Sequence, residues 1–406
     1  MITSLFTLPS LALHLAQVAG LAYASYWLAP RFFPEHAALP RFILALATLL
    51  GLQSCLQTLA YYLLPSLGLT TDVLTQLVAS VALYNLARRL PYEAPKGDFR
   101  SSSSLQPPAS SLIFHALALL GILFVSWQAH LAATITAIRS PWTVLSPDTL
   151  LAFLLILGAL WLLVWWQTSV TEVWLIASAF LMTLALVTVL VYPLGFGFDG
   201  FLHRESERLL LITGTLQPKP LYYIGQYVFT TWLARTLTLP ITALDPWLLV
   251  GFIPLLVAAL AIHRTGKETV PVTVSMLALV LLVPLQPWIT ATPQSLGYLI
   301  GLSGLLLARV PSALPSSWPV LMLGLWSIAI HPLAGLPLTG GIALMLWRSN
   351  LSHRPRLRLA GTLLALIGTA SVVPLAFLVH RRFSGAEIGW HLQTVFSLDH
   401  LHTLKT

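Results

Sequence analysis

Apolar stretches of membrane-spanning length follow one another along almost the whole chain, and this pattern limits what it can fold into. A helix satisfies its own backbone hydrogen bonds where no water can, so such stretches mean transmembrane α-helices. Windows of about 17–25 apolar residues fall near 8–29, 42–64, 70–88, 112–137, 149–167 and 172–192. A second set falls near 247–263, 270–288, 293–308, 318–331, 333–347 and 357–379. The expected fold class is all-α: a polytopic integral membrane protein of about 12 transmembrane helices with interfacial juxtamembrane helices. Composition agrees, with 57% hydrophobic residues, only 8% charged ones and 14 Trp. Of the 406 residues, too few lie between the spans to build a soluble domain. The pair of stretches flanking His331-Pro332 is short, so one of them is expected to be a half-span or re-entrant segment. Pro254, Pro284 and Pro374 inside spans predict kinks rather than breaks, because neighbouring helices re-satisfy the freed carbonyls.

Charge placement sets an expected orientation. The formal net charge is +8, but the basic residues sit in short loops, as the positive-inside rule requires, and do not point to nucleic acid. Three loops are basic: 88–100, 264–267 and 348–358. If all three are cytoplasmic, even numbers of spans separate them. Parity then requires that the stretch from Leu221 to Leu239, with Tyr222, Tyr223, Tyr227, Gln226 and Arg235, does not cross but lies at the interface as an aromatic-rich helix. The same parity puts the loop after residue 192, and the tail after His380, on the extracytoplasmic side. The expected units are a three-helix membrane segment (1–90), a Ser/Pro-rich cytoplasmic linker (91–111) and three further spans (112–192). An extracytoplasmic loop with juxtamembrane helices (193–246), C-terminal membrane helices (247–380) and an extracytoplasmic tail (381–406) complete the chain. Cys55 is the only cysteine, so no intramolecular disulfide forms. The N-terminus lacks a basic region ahead of its first apolar stretch, and that stretch is long enough to remain as a span.

The extracytoplasmic loop carries an unusual concentration of chemistry. The run Gly197-Phe198-Asp199-Gly200-Phe201-Leu202-His203-Arg204-Glu205-Ser206-Glu207-Arg208 stands out in a chain so poor in charge, and ionisable groups concentrated at a membrane helix end are functional candidates. From Gly200 a helix is expected to run to Thr213, stopped by Gly214 as its C-terminal cap with Pro218 beyond. At 1.5 Å per residue it is roughly 20 Å long, short of the hydrocarbon core. Phe201, Leu202, Leu209 and Ile212 share one side; His203 and Glu207, four apart, share another. Such a helix lies on the membrane with Asp199 at its mouth. Arg204 with Glu207, and Glu205 with Arg208, have the spacing of surface ion pairs, and Asp199 has the place of an N-cap.

The run from Tyr192 to His263 resembles the first extracytoplasmic loop and following helices of the GT-C superfamily of membrane glycosyltransferases. Within it, the chain looks like the lipid-linked-sugar transferases typified by protein O-mannosyltransferases and the aminoarabinose transferase of lipid A. The shared pattern is a span, an acidic residue soon after it, an amphipathic juxtamembrane helix, and a proline turn leading to a second helix. Here these are Asp199, the helix through Thr213, and Pro218-Lys219-Pro220-Leu221-Tyr222-Tyr223. In those enzymes the loop usually follows the first span; here it follows about six, and the earlier spans read as an added module. The resemblance implies transfer of a sugar from a polyprenyl-phosphate donor to an acceptor, with Asp199 in the place of the catalytic acidic residue, as general base or metal ligand.

From first principles, such transfer needs a base near the acceptor hydroxyl and positive charge or a metal ion on the leaving phosphate. Asp199 and His203 are the candidate catalytic groups. Arg204, Glu207, Arg208, Lys219, Tyr222, Tyr223 and His331 are candidate substrate-binding residues. A divalent cation would take Asp199 and Glu207. His14, His115, His130, Gln17, Gln53, Gln57 and Gln128 read as interhelical hydrogen-bonding groups, and Asp399, His400 and His402 as a solvated tail. The alternatives are a multi-pass transporter or lipid flippase, which many intramembrane prolines suit, and a membrane scaffold. Against the transporter stand spans almost empty of charged residues.

Overall fold

The computed structural model describes residues 8–34, 36, 38–90, 109–136, 138, 140–165, 170–196, 198–220, 222–260, 292–309, 316–350 and 355–384. These residues form thirteen α-helices. They are α1 (Leu8–Phe32), α2 (Ala38–Leu63), α3 (Leu69–Arg88), α4 (Ala109–Leu131), α5 (Pro147–Trp165), α6 (Val170–Val191) and α7 (Phe198–Thr213). The others are α8 (Ile224–Leu237), α9 (Ile241–Leu260), α10 (Pro293–Ala308), α11 (Trp318–Ile330), α12 (Pro332–Asn350) and α13 (Pro355–Ser384). Eleven of the expected spans therefore coincide with helices, while 270–288 and the basic loops at 91–100 and 264–267 lie outside the described residues. Among the described residues, four helices contain stretches long and apolar enough to cross a bilayer: Ala38–Leu63, Leu112–Leu131, Glu172–Val191 and Ile241–Leu260. The chain is thus helical, with several candidate spans suited to multi-pass association with a bilayer. Pro254 and Pro374 lie inside α9 and α13 without ending them.

α2 is the central post. It packs on α1 and α3 on one side and on α8, α9 and α11 on the other. α4 and α5 pack with α6, α6 with α9, and α9 with the bundle of α10, α11 and α12. α13 rests on α12. Where α2, α8, α9 and α11 meet, Trp326 takes Phe229 and Phe252 edge-on at 5.3 and 5.4 Å between ring centres. Edge-to-face aromatic pairs in this distance range add about 0.5–1.5 kcal/mol each beyond burial. The backbones of α8 and α11 approach so closely that a Cβ on Gly225 would collide with the Ala329 carbonyl group. Only glycine fits there.

α8 differs from the sequence expectation. Instead of lying on the lipid surface, it is enclosed: every residue from Ile224 to Trp232 is buried, between α2, α7, α9 and α11. Its 14 residues span roughly 21 Å at the helical rise, too short for the hydrocarbon core. Several of its polar groups meet partners on other helices, although Gln226 Oε1 and Trp232 Nε1 are buried without one. Arg235 Nε donates to Asp72 Oδ2 at 2.6 Å and its Nη2 to Asp72 Oδ1 at 3.1 Å, while Gln57 Nε2 donates to the same Oδ1.

α7 covers one side of α8, a packing the sequence reading did not foresee. Phe201, Leu202, Leu209 and Ile212 are exposed, forming an apolar outer face, while Glu207 and Leu210 turn inward. Gly214 ends the helix at φ +73°, donating to the Leu210 carbonyl and accepting from the Leu67 amide. A Cβ at that left-handed residue would run into the Leu67 backbone, so the glycine both caps α7 and seats it on the α2–α3 turn. The α7–α8 linker is held on the end of α2. Lys219 Nζ donates to the carbonyls of Tyr61 (2.7 Å), Leu64 (3.0 Å) and Tyr62 (3.4 Å), and the Tyr62 hydroxyl to the Pro220 carbonyl. A helix C-terminus leaves carbonyls without intrahelical partners, and a cation there is favourable.

Candidate functional site

The candidate residues gather at the N-terminal half of α7, the linker before α8 and the α11–α12 join. Asp199 lies inside the first turn of α7, which starts at Phe198, so it is not the N-cap; its carboxylate is exposed and sits where the helix dipole favours negative charge. One turn on, His203 is half-buried, with Nδ1 2.7 Å from the Tyr227 hydroxyl. Its ring meets the edge of Tyr223 at 5.0 Å. Burial lowers the His203 pKa, and the Asp199 charge pulls it back up. Tyr223 has φ +67°, a left-handed conformation uncommon for a bulky residue. That backbone turns its ring onto His331, stacked at 5.3 Å and 30°. His331 is buried, and its Nδ1 accepts from the Ala334 amide at 3.1 Å. Asp199, His203, Tyr223 and His331 thus come together from three segments far apart in sequence, with Tyr222 beside Tyr223.

The remaining candidates are engaged elsewhere. Glu207 is fully buried: its Oε1 accepts from Gln226 Nε2 and Thr230 Oγ1, both at 3.0 Å, and Oε2 has no partner. Burial drives its pKa well above the carboxylate range, the Asp245 charge adds to this, and the Gln226, Thr230 and Arg204 groups counter it. Arg204 reaches Asp245 Oδ2 with Nε at 3.1 Å and the Leu194 carbonyl with Nη1 at 3.2 Å, rather than pairing with Glu207. Arg208 pairs with Glu205 at 3.7 Å on the exposed surface, as its spacing predicts. Lys219 spends its protons on the carbonyls at the end of α2. Asp199 and Glu207 stand eight residues apart on one helix, about 12 Å along its axis. Ligand distances of about 2.3–2.6 Å cannot join them on one cation. Among the described residues no group of three or more His, Cys, Asp and Glu side chains could hold a metal ion.

Beside this cluster, between α6, α9 and the start of α7, lies a small cleft of about 30 Å³. Thr188, Tyr192, Phe201 and Leu249 line it, with the Arg204–Asp245 pair in its wall. Asp245 and Asp72 are the polar groups the sequence reading passed over, while Tyr227 was read only as part of an aromatic-rich helix. The available signal was their rarity, since a lone carboxylate inside an apolar stretch implies a partner. Comparison of the chain with protein-family models, with curated proteins and with solved structures finds no match in any of the three.

Proposed function

We propose that the chain is a GT-C-like membrane glycosyltransferase of about twelve spans, transferring a sugar from a polyprenyl-phosphate-linked donor to a hydroxyl acceptor at the extracytoplasmic face. The observation that carries this reading is the meeting of Asp199 and His203, on an amphipathic helix with an exposed apolar face, with Tyr223 and His331 from two other segments. A lipid-phosphate donor keeps its chain in the bilayer and its phosphate at the surface, the level at which such a helix lies. Asp199 and His203, one turn apart, form the acid–base unit that takes the acceptor proton. Tyr222 and Tyr223 offer ring faces beside them. In the nearby cleft, whose lining mixes apolar side chains with Thr188, Tyr192 and the Arg204–Asp245 pair, Arg204 is the group that would supply positive charge to the leaving phosphate.

A transporter or lipid flippase is the second reading. It is favoured by the ionisable groups enclosed among the helices, Asp72 with Arg235 and Asp245 with Arg204. The deciding experiment measures sugar transfer from a polyprenyl-phosphate donor by the purified protein in lipid, with Asp199→Asn as the variant. Asn keeps the size of Asp199 and removes its charge, so loss of the base's support should lower the rate on the order of 10²–10⁴ with membrane insertion unchanged. Full activity in the variant overturns the role of Asp199; no transfer by the wild type with any such donor overturns the glycosyltransferase reading in favour of the transporter.

A further inference from the structure

We propose that His331 is a hydrogen-bond donor of fixed polarity, presenting Nε2–H to a hydroxyl oxygen of the sugar on the lipid-linked donor. The choice of ligand rests on the glycosyl-transfer reading, the polarity on geometry alone. His331 closes α11 and precedes Pro332, the first residue of α12. A side chain in that place ordinarily uses an oxygen to accept from an amide of the new helix's first turn. Here Nδ1 does so. It accepts from the Ala334 amide at 3.1 Å, a proton it shares with the His331 carbonyl at the same distance. A backbone N–H can only donate, so the direction of this bond is settled. Nδ1 therefore holds a lone pair, and a neutral imidazole with its lone pair on Nδ1 carries its hydrogen on Nε2. With that hydrogen in place Nε2 cannot take a proton, so His331 is no rival to Asp199 and His203 as base.

The rest of the residue is pinned. Its amide donates to the Ser327 carbonyl at 2.9 Å, and Tyr223 is stacked on its ring. Gly297 of α10 comes so close that an added Cβ would stand 3.1 Å from the His331 Cβ. Nε2 is the atom left over: it has no hydrogen-bond partner among the described residues, yet it is not sealed from solvent. A nearly enclosed ring thus offers its one donor to something from outside. The surroundings select the class of oxygen. Tyr223 lies between His331 and His203, with Asp199 one turn before His203. The nearby cations turn elsewhere: Arg204 to Asp245, Arg208 to Glu205 and Lys219 to the end of α2. A phosphate here would bring a second negative charge near Asp199 with no cation to offset it, and like charges brought together are costly. A neutral hydroxyl carries no such cost, and ring faces with a few placed polar groups are the usual lining of a ligand site.

The test begins with the ¹⁵N spectrum of histidine-labelled protein in lipid nanodiscs, with His331 assigned by the signal lost in His331→Asn. The wild type should show the Nε2–H form; an Nδ1–H form overturns the proposal. Polyprenyl-phosphate mannose, polyprenyl-phosphate arabinose and bare polyprenyl phosphate are then added in separate arms. At least one sugar-bearing lipid should shift the Nε2 resonance, and the bare phosphate should leave it in place. A shift with the bare phosphate, or none with either sugar, overturns the proposal. Two substitutions separate binding from capping. His331→Asn keeps a capping oxygen in the place of Nδ1 and loses the donor, whereas His331→Gln keeps an N–H near the place of Nε2 and loses the cap. By native mass spectrometry, Asn should bind the sugar-bearing lipid about tenfold more weakly, and Gln close to the wild type despite a lower unfolding midpoint. The reverse order would make His331 a helix cap alone. If the sugar-bearing lipid shifts Nε2 but is never turned over, the glycosyl-transfer reading fails and the sugar site stands. If transfer occurs with Nε2 unmoved, the site fails and that reading stands.

Discussion

Glu207 sits on α7 with its side chain wholly enclosed, one oxygen held by Gln226 and Thr230 and the other without a partner, and this decides how it responds to pH. An unpaired buried charge is costly, so the folded protein prefers the protonated acid. The folded pKa lies above the ordinary value of 4.5, so the native state binds the extra proton. The contribution to stability is full below about 4.5 and is lost as pH rises from there toward the folded value, by at most about 1.4 kcal/mol per pH unit. Thermal unfolding in detergent across that range should show a midpoint falling with pH. Glu207→Gln, which copies the neutral acid, should flatten the fall. A wild-type midpoint that rises with pH as much as the variant's would show Glu207 ionised. None of this was legible in the sequence, where Glu207 looks like a surface residue one turn from His203. Helical spacing gives the angle of a side chain but not what the neighbouring helix offers it. Gln226 and Thr230, 19 and 23 residues further on, make that place a carboxyl site.

At the scale of elements, the polar contacts that hold α8 include Glu207 from α7 and Asp72 from α3. The Asp72–Arg235 pair has little exposure, 2% and 15% for the two side chains, so solvent screens it weakly. Removing one partner of such a pair typically costs about 3–5 kcal/mol, because the other charge is left buried and alone. Asp72→Asn and Arg235→Gln should each destabilise the protein by an amount near that range, and the double variant by much less than their sum. A double-mutant cycle on thermal or denaturant midpoints checks this; additive losses would mean that the pair is not coupled. Hydropathy alone revealed that helices occupy these stretches, and the turn chemistry of Gly214 revealed where α7 stops. The enclosure of α8 was hidden, because parity decides only whether a segment crosses, and its aromatic residues suit a lipid interface as well as a protein interior. The fit of Gly225 against Ala329, over a hundred residues away, has no local signature.

For the whole molecule, the order of helices was readable from apolar length alone, whereas their neighbours were not, since no pattern in α2 announces that it will pack against α8, α9 and α11. The orientation expected from the basic loops is a separate prediction. In a Cys55→Ala background, cysteines placed at Thr215 and Ser352 should be labelled by an impermeant reagent from opposite sides of the membrane, Thr215 from outside. Labelling of both from one side would reverse or break that topology. The long reach of the contacts also has a cost during biosynthesis. Asp72 and Arg235 are 163 residues apart, and the carbonyls of Tyr61 and Leu64 precede the lysine that covers them by 158 and 155. At about 5–20 residues per second of translation, the first three helices leave the ribosome roughly 10–30 s before their partners exist. During that interval a carboxylate bound for the helix bundle has no counter-ion. The nascent chain must hold it in water or beside the insertion machinery until α8 is made. Residue 72 should thus matter to the yield of inserted protein as well as to the stability of the finished one.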